Sequence, residues 1–157
     1  MVEPNRAPVL LIGIGNELRG DDGAGVEVAG HLRTQVNPDE IEISVQQGEP
    51  IGLIDAWRGR EIAVVVDAMC SGAPPGTIRR LDASSEALPD GLRGSSSTHA
   101  LGLREAIELA RALGQLPPRV IVYAVEGRRF ETGSELSSEV RARIPELASM
   151  VLHEARR

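Results

Sequence analysis

The chain has 157 residues, of which 41% are hydrophobic and 25% are charged, a composition typical of one globular domain with one core. Its formal net charge is -6, so it lacks the positive field that gathers nucleic acids or acidic lipids, and we expect neither nucleic acid nor a membrane as a partner. The one cysteine, Cys70, allows no disulfide and no cage of thiolate ligands within the chain, and we expect a single domain over residues 1–157 in the reducing cytoplasm.

The first predicted elements are a buried strand and the helix that follows it. The apolar run over 7–15 ends in glycines, which is the pattern of a strand buried on both faces of a parallel sheet. Asp21 or Asp22 can accept backbone N–H groups at the start of the next helix, and we interpret both as helix caps. The expected inward face of this helix consists of Val26, Ala29 and Leu32.

Two further strands, a short helix and an edge strand are predicted next. Residues 41–45 alternate as a half-buried strand does, and a proline favours the start of a helix over 50–57. The apolar run over 61–68 predicts a third strand with Asp67 near its carboxyl end. Residues 76–83 predict a fourth strand at an edge of the sheet, because their arginines tolerate solvent.

The second half of the chain predicts a loop, a helix, a strand and a helix. Residues 84–98 are polar and contain glycine, which is typical of a loop. From residue 99 apolar side chains recur at helical spacing up to Gly114, which can end the helix. Residues 119–126 predict a fifth strand, and a terminal amphipathic helix follows that Pro145 must kink or restart. Alternating strands and helices imply a mostly parallel sheet with helices on both faces.

Three polar side chains from separate segments are expected to converge beyond the carboxyl ends of the strands, where parallel sheets bind ligands. Glu17 lies in the turn after the first strand, Asp67 near the end of the third, and His99 at the entry to a helix. Two carboxylates and one imidazole suit Ni, Zn, Mn or Fe(II) and leave coordination positions open. The residues therefore favour an incomplete cation site.

The glycines of the first turn also suggest a dinucleotide site, but the surrounding residues disfavour it. Leu18 stands where the dinucleotide fingerprint has its third glycine, and the second strand ends in Gln46 and Gln47 in place of an acid for the ribose. The three acids of the turn would also repel a pyrophosphate at close range.

Each candidate residue has a structural interpretation as well. Asp67 could equally cap the loop after its strand, and His99 taken alone could be a surface residue. Cys70 could form a nucleophilic pair with His99, but a packed and unreactive side chain is favoured. Glu126 also ends its strand; it could line the pocket, but a solvated position is favoured. The two remaining histidines, His31 and His153, are interpreted as surface residues.

Four stretches of the sequence together carry a family resemblance. They are IGIGNELRGDDGAGV, VVVDAMCSGAPPGTI, SSTHALGL and PPRVIVYAVEGRRFETGSELSSEV, and they extend over nearly the whole chain. The chain resembles the hydrogenase maturation proteases, which remove the C-terminal extension of the large subunit of nickel-iron hydrogenases. The resemblance implies an α/β single domain with a twisted, mostly parallel sheet of about five strands between helices. It also implies an aspartic-type endopeptidase.

By this resemblance, Glu17, Asp67 and His99 are both the metal-contacting and the catalytic residues. They are expected to complete the coordination of nickel that the substrate already carries, so the enzyme would hold no tightly bound cofactor of its own. The implied partner is the large-subunit precursor of a nickel-iron hydrogenase. Either a metal-bound water or a carboxylate acting as a base is compatible with the residues present.

One segment departs from the family pattern. Many members carry an Asp-Gly-Gly-Thr-like stretch after the second strand, where this chain has QQGEP, with Gln47 in place of the aspartate. Glu49 could supply the missing carboxylate, but from a shifted position. Two alternatives to the protease therefore stay open. They are a metal-dependent hydrolase of a small substrate and a non-enzymatic nickel-sensing or chaperone module on the same fold.

Overall fold

The computed structural model describes residues 6–92 and 102–157. Its strands are β1 (Val9–Ile14), β2 (Ile41–Gln46), β3 (Ile62–Met69), β4 (Ile78–Asp82) and β5 (Arg119–Glu126). Its α-helices are α1 (Ala24–Leu32), α2 (Pro50–Trp57), α3 (Leu103–Ala112) and α4 (Ser138–Ala155), and a short 3-10 helix over Gly20–Gly23 precedes α1.

The described strands form one five-stranded sheet in the order β2-β1-β3-β5-β4. The strands β2, β1, β3 and β5 run parallel, whereas β4 pairs antiparallel with β5 at the edge. The predicted α/β fold, with its mostly parallel sheet and its edge strand, is confirmed. Because β1 leads to β2 on one side and β3 lies on the other, the connections diverge between β1 and β3.

Helices cover both faces of the sheet, and each face has its own hydrophobic layer. One layer joins even-numbered residues of β1 and β5 to α2 and α3, and it includes Leu10, Ile12, Leu53, Trp57, Val65, Leu103, Ile107 and Val122. The other layer joins the opposite face to α1 and α4, and it includes Leu11, Val28, Leu32, Val64, Ile121, Val140, Leu147 and Val151. Continuous apolar strands are thus buried on both sides, as the sequence predicted.

Two helix predictions need correction in detail. The inward face of α1 includes Val28 as well as the predicted Ala29 and Leu32, while Val26 is only half-buried. The buried residues of α1 recur at three- and four-residue steps from Ala24 and Gly25, and Val26 lies beside that face. Helix α4 runs through Pro145 without a restart, and it is capped by Ser137, whose hydroxyl accepts the Val140 N–H.

None of the helices that the structure describes is long and apolar enough to cross a bilayer.

Candidate functional site

The turn after β1 holds Glu17 at the carboxyl edge of the sheet. Gly15 has a φ of 140°, and a Cβ at this position would lie 1.7 Å from the Asp22 carbonyl oxygen, so only glycine fits. The Asn16 N–H donates to Asp22 Oδ2 at 3.1 Å, and the Leu18 N–H donates to Asn16 Oδ1 at 2.9 Å. These bonds fold the turn upon itself and leave the Glu17 side chain exposed.

Asp67 lies near the carboxyl end of β3, as predicted, but its side chain is completely buried. It alternates with Val65 and Met69, so it lies on the face of the sheet that packs against α2 and α3. In the neighbouring strand β5 its partner is Ala124. The Asp67 carboxylate therefore does not lie at the surface of the protein.

His99 lies outside the described residues, so the predicted convergence of Glu17, Asp67 and His99 stays a prediction. Within 6–92 and 102–157, no group of three His, Cys, Asp or Glu side chains is arranged to hold a metal ion. The position of His99 in the sequence, shortly before Leu103, assigns it to the segment that leads into α3.

Two clefts open on either side of Glu17. The larger, about 500 Å³, lies between α1 and β2 and is lined by Glu27, His31, Arg33 and Val45 among others. The smaller, about 300 Å³, lies between the turn and the start of α4, where Glu135 and Arg141 border it. Glu17 thus stands on a ridge with space for a bound chain on both sides.

Asp21 has a role that the sequence did not reveal. Its buried carboxylate accepts the N–H groups of Arg128 and Arg129 at 2.7 and 3.2 Å, and the N–H and hydroxyl of Ser137 at 2.7 and 2.8 Å. The partners of this carboxylate lie in the loop after β5 and before α4, so the interpretation of Asp21 as a helix cap is wrong. The Asp22 carboxylate accepts the Asn16 N–H, which precedes the helix. Only the fold brings the loop after β5 to the Asp21 carboxylate.

Backbone pairing reinforces the contact between these two loops. The Gly133 N–H donates to the Leu18 carbonyl oxygen at 2.7 Å, and the Gly20 N–H donates to the Ser134 carbonyl oxygen at 3.0 Å. The turn that carries Glu17 is therefore held by the segment between β5 and α4. Such support matters for a site built on a loop, because only a fixed loop can hold a side chain in one geometry.

Glu126 and Cys70 also differ from expectation. Glu126 is buried, and its carboxylate accepts the N–H and hydroxyl of Ser71, so it fixes the loop after β3 and is not solvated. Cys70 is exposed, since the chain leaves the sheet after Met69 and the Cys70 N–H bonds to the Gly91 carbonyl oxygen at 2.7 Å. The expectation of a packed cysteine is wrong. The surface positions of His31 and His153 are confirmed.

The segment that departs from the family pattern lies at the same edge. Gln47 directly follows β2 and is exposed, and the preceding Gln46 carbonyl oxygen accepts the Gly15 N–H at 3.0 Å. Glu49 is exposed and stands immediately before α2, without a side-chain cap bond among the described residues. Gln47 therefore lies beside the end of β1, the strand that leads into the turn with Glu17.

Comparison with known proteins identifies the family. The sequence profile described as hydrogenase maturation protease matches residues 26–154. The chain belongs to the hydrogenase maturation protease family. The family and the fold that the sequence motifs predicted are both confirmed.

Several relatives of this maturation protease family member have names that refer to the same process. The hydrogenase expression/formation protein HupD of Thiocapsa roseopersicina is 31% identical over 147 residues, which cover 92% of this chain and 66% of the relative. The hydrogenase 2 maturation protease of Escherichia coli is 27% identical over 146 residues, covering 92% of this chain and 88% of the relative. The chain spans 66% and 61% of the lengths of HupD and of the Cupriavidus necator HoxM protein.

Solved structures in this family share the whole architecture. The hydrogenase maturating endopeptidase HybD from E. coli superimposes with a TM-score of 0.80 at 25% identity, over 94% of this chain and 91% of that one. The nickel-iron hydrogenase maturation protease HybD from Thermococcus kodakarensis gives a TM-score of 0.71 at 25% identity, over 94% and 98%.

Proposed function

We propose that this protein is an endopeptidase that removes the C-terminal extension of a nickel-loaded large-subunit precursor of a nickel-iron hydrogenase. The observation that carries the proposal is family membership over most of the chain, combined with an exposed Glu17 on a rigid turn where the strand connections diverge. The single cysteine stays reduced in the cytoplasm, where we place the reaction.

Glu17, Asp67 and His99 contact the nickel that the precursor brings, and the enzyme needs no metal of its own. Two carboxylates and an imidazole are few ligands, and they are harder than the thiolates that already hold the nickel. Their contact with the metal is therefore weak, and it forms and breaks readily. Release after one cleavage is then favourable. Asp67 is buried in the unbound chain, so residues around it must move when the precursor docks.

Cleavage itself requires a water and a base near the scissile bond. Glu17 and Asp67 are the two carboxylates assigned to this region, and either one can take a proton from water that the substrate's nickel polarises. Replacing each by its amide keeps the shape and an oxygen donor but removes the base. The pH dependence of the remaining activity then identifies which carboxylate acts.

The experiment compares nickel-loaded precursor with nickel-free precursor, each incubated with the protein and followed by intact mass. We expect loss of the C-terminal peptide only from the loaded form. Tight binding without cleavage would replace the protease by a nickel-sensing or chaperone module. Turnover of a small ester or amide without precursor cleavage would replace it by a small-substrate hydrolase.

A further inference from the structure

The outer edge of β2 offers free backbone hydrogen-bonding groups. The carbonyl oxygens of Glu40 and Gln46 accept the N–H groups of Val9 and Gly15. The backbone N–H and C=O groups of even-numbered residues of β2 therefore point toward β1. The N–H and C=O groups of Ile43 and Val45 therefore point outward. Within the described residues no strand pairs with this side of β2.

A groove follows this edge from Glu17, at the carboxyl ends of the strands, which we call its upper end, to Pro38, before the start of β2, which we call its lower end. Its upper part is the cleft of about 500 Å³ that reaches Glu17, and its lower part is a cleft of about 220 Å³ that reaches Pro38. Both parts lie beside β2, and Arg33 borders both. The apolar side chains along the groove are Val26, Val36, Ile41, Ile43 and Val45.

Within the described part of the chain, the groove has unpaired acids at its upper end and an unpaired arginine along its middle. Glu17 and Glu27 line the upper part, whereas Arg33 lies along the middle and has no carboxylate partner among the described residues. Glu42 lines the lower part, but its carboxylate is paired with Arg60 at 3.0 Å. An occupant that places a cation at the top and a carboxylate beside Arg33 matches this pattern. A nickel centre at Glu17 followed by a peptide that carries a carboxylate has that order of charges.

We propose that the precursor segment after the scissile bond binds along this groove as an extended strand antiparallel to β2. This inference rests on the proposed function. The part before the cut carries the nickel and stays at Glu17, so the segment to be released must lead away from that residue. The path along the groove runs from Glu17 toward Pro38, opposite to β2, which ends beside Gly15.

The edge and the groove recognise different features of this segment. The outward groups of Ile43 and Val45 bond its backbone, and alternate side chains enter the apolar groove, which is how an added strand binds. The six residues of β2 span about 17 Å, which leaves room for about six residues of extended chain. Arg33 binds a carboxylate of the segment, either an acidic side chain or the chain terminus.

The first test uses a synthetic peptide with the sequence that wild-type protein releases from the nickel-loaded precursor. Amide exchange is followed by NMR with and without the peptide. We expect slower exchange at Ile43 and Val45 and no change at Arg79 in the opposite edge strand β4. Protection elsewhere overturns the inference. So does protection that rises with protein concentration in the absence of peptide, which indicates a second copy of the chain on this edge.

The second test measures processing by Val45→Pro, which removes one outward N–H and leaves the bonds to β1 in place. We expect KM for the nickel-loaded precursor to rise about five- to tenfold, with kcat changed less than about twofold. Leu109→Ala, exposed on α3, is the control with unchanged kinetics. An amidated peptide binds more weakly only if Arg33 holds the chain terminus, and Arg33→Gln weakens binding for either source.

These outcomes separate the two proposals. Unchanged KM for Val45→Pro, in a variant with the thermal transition of the wild type, overturns the groove while cleavage stands. If Val45→Pro does not fold, the exchange experiment on the wild-type protein decides. Absence of cleavage by the wild-type protein overturns the proposed function itself.

Discussion

The carboxylate of Asp21 binds both the backbone N–H and the hydroxyl of Ser137, which lies 116 residues later in the chain. The same carboxylate accepts the N–H groups of Arg128 and Arg129. One buried acid therefore joins the turn that carries Glu17 to the loop that precedes α4.

We expect Asp21→Ala to lower the free energy of unfolding by about 3 kcal/mol, because it leaves buried N–H groups without an acceptor. Asp21→Asn retains one oxygen and should cost less. Urea denaturation measures both. Asp39→Ala is the control, because this acid is exposed and its side chain makes no hydrogen bond within the described residues. A loss equal to that of the control would contradict the role of Asp21.

A second prediction uses two glycines of one helix. A Cβ at Gly25 would lie 2.5 Å from the Val66 carbonyl oxygen and 2.7 Å from that of Ile14, so Gly25→Ala must push α1 away from the sheet. We expect a loss of about 2–3 kcal/mol in the free energy of unfolding. Gly30 has no atom within 4 Å of its Cβ position, and Gly30→Ala should stabilise by about 0.5–1 kcal/mol. Thermal or urea unfolding distinguishes the opposite signs.

The third prediction concerns a buried carboxylate far from the site. Glu154 accepts hydrogen bonds from Arg80 at 2.7 Å, from the Tyr123 hydroxyl at 2.8 Å and from Arg119. Burial, followed by the charges of Arg157 and Arg80, lowers the pKa of Arg119. Arg80, Arg119 and Arg157 all form ion pairs with Glu154.

We expect Glu154→Gln to cost about 2 kcal/mol of unfolding free energy, because the amide loses the charge-assisted hydrogen bonds that the carboxylate accepts from the guanidinium groups. Tyr123→Phe removes a single hydrogen bond and should cost about 1 kcal/mol. The two losses should not add in the double variant, since both act on one carboxylate. Strict additivity in urea denaturation would indicate that the tyrosine does not depend on the acid.

The fourth prediction separates the histidine from the cysteine. His99→Ala should abolish processing of the nickel-loaded precursor, because the family resemblance implies that this side chain contacts the nickel. The temperature of the thermal transition should stay unchanged. Cys70→Ala should retain processing, since the exposed thiol is not needed by a mechanism based on carboxylates and nickel. An inactive Cys70→Ala variant with a normal thermal transition would restore the nucleophilic cysteine.

The regular elements could be predicted closely from the sequence because their signals are local. The second helix and the fifth strand have the predicted bounds, Pro50–Trp57 and Arg119–Glu126, since a proline start and a continuous apolar run act over a few residues. The edge position of β4 followed from its arginines. The family motifs, being contiguous stretches, were equally visible.

The tertiary structure alone decided the burial and the hydrogen-bond partners of the polar side chains. An acid beside a helix start reads as a cap in the sequence, yet Asp21 bonds a loop from the far end of the chain. Glu126 ends a strand and is buried against Ser71, while Cys70 emerges from the sheet. A side chain's partner depends on which segments meet in space, because charges and hydrogen bonds act over a few ångströms irrespective of chain distance.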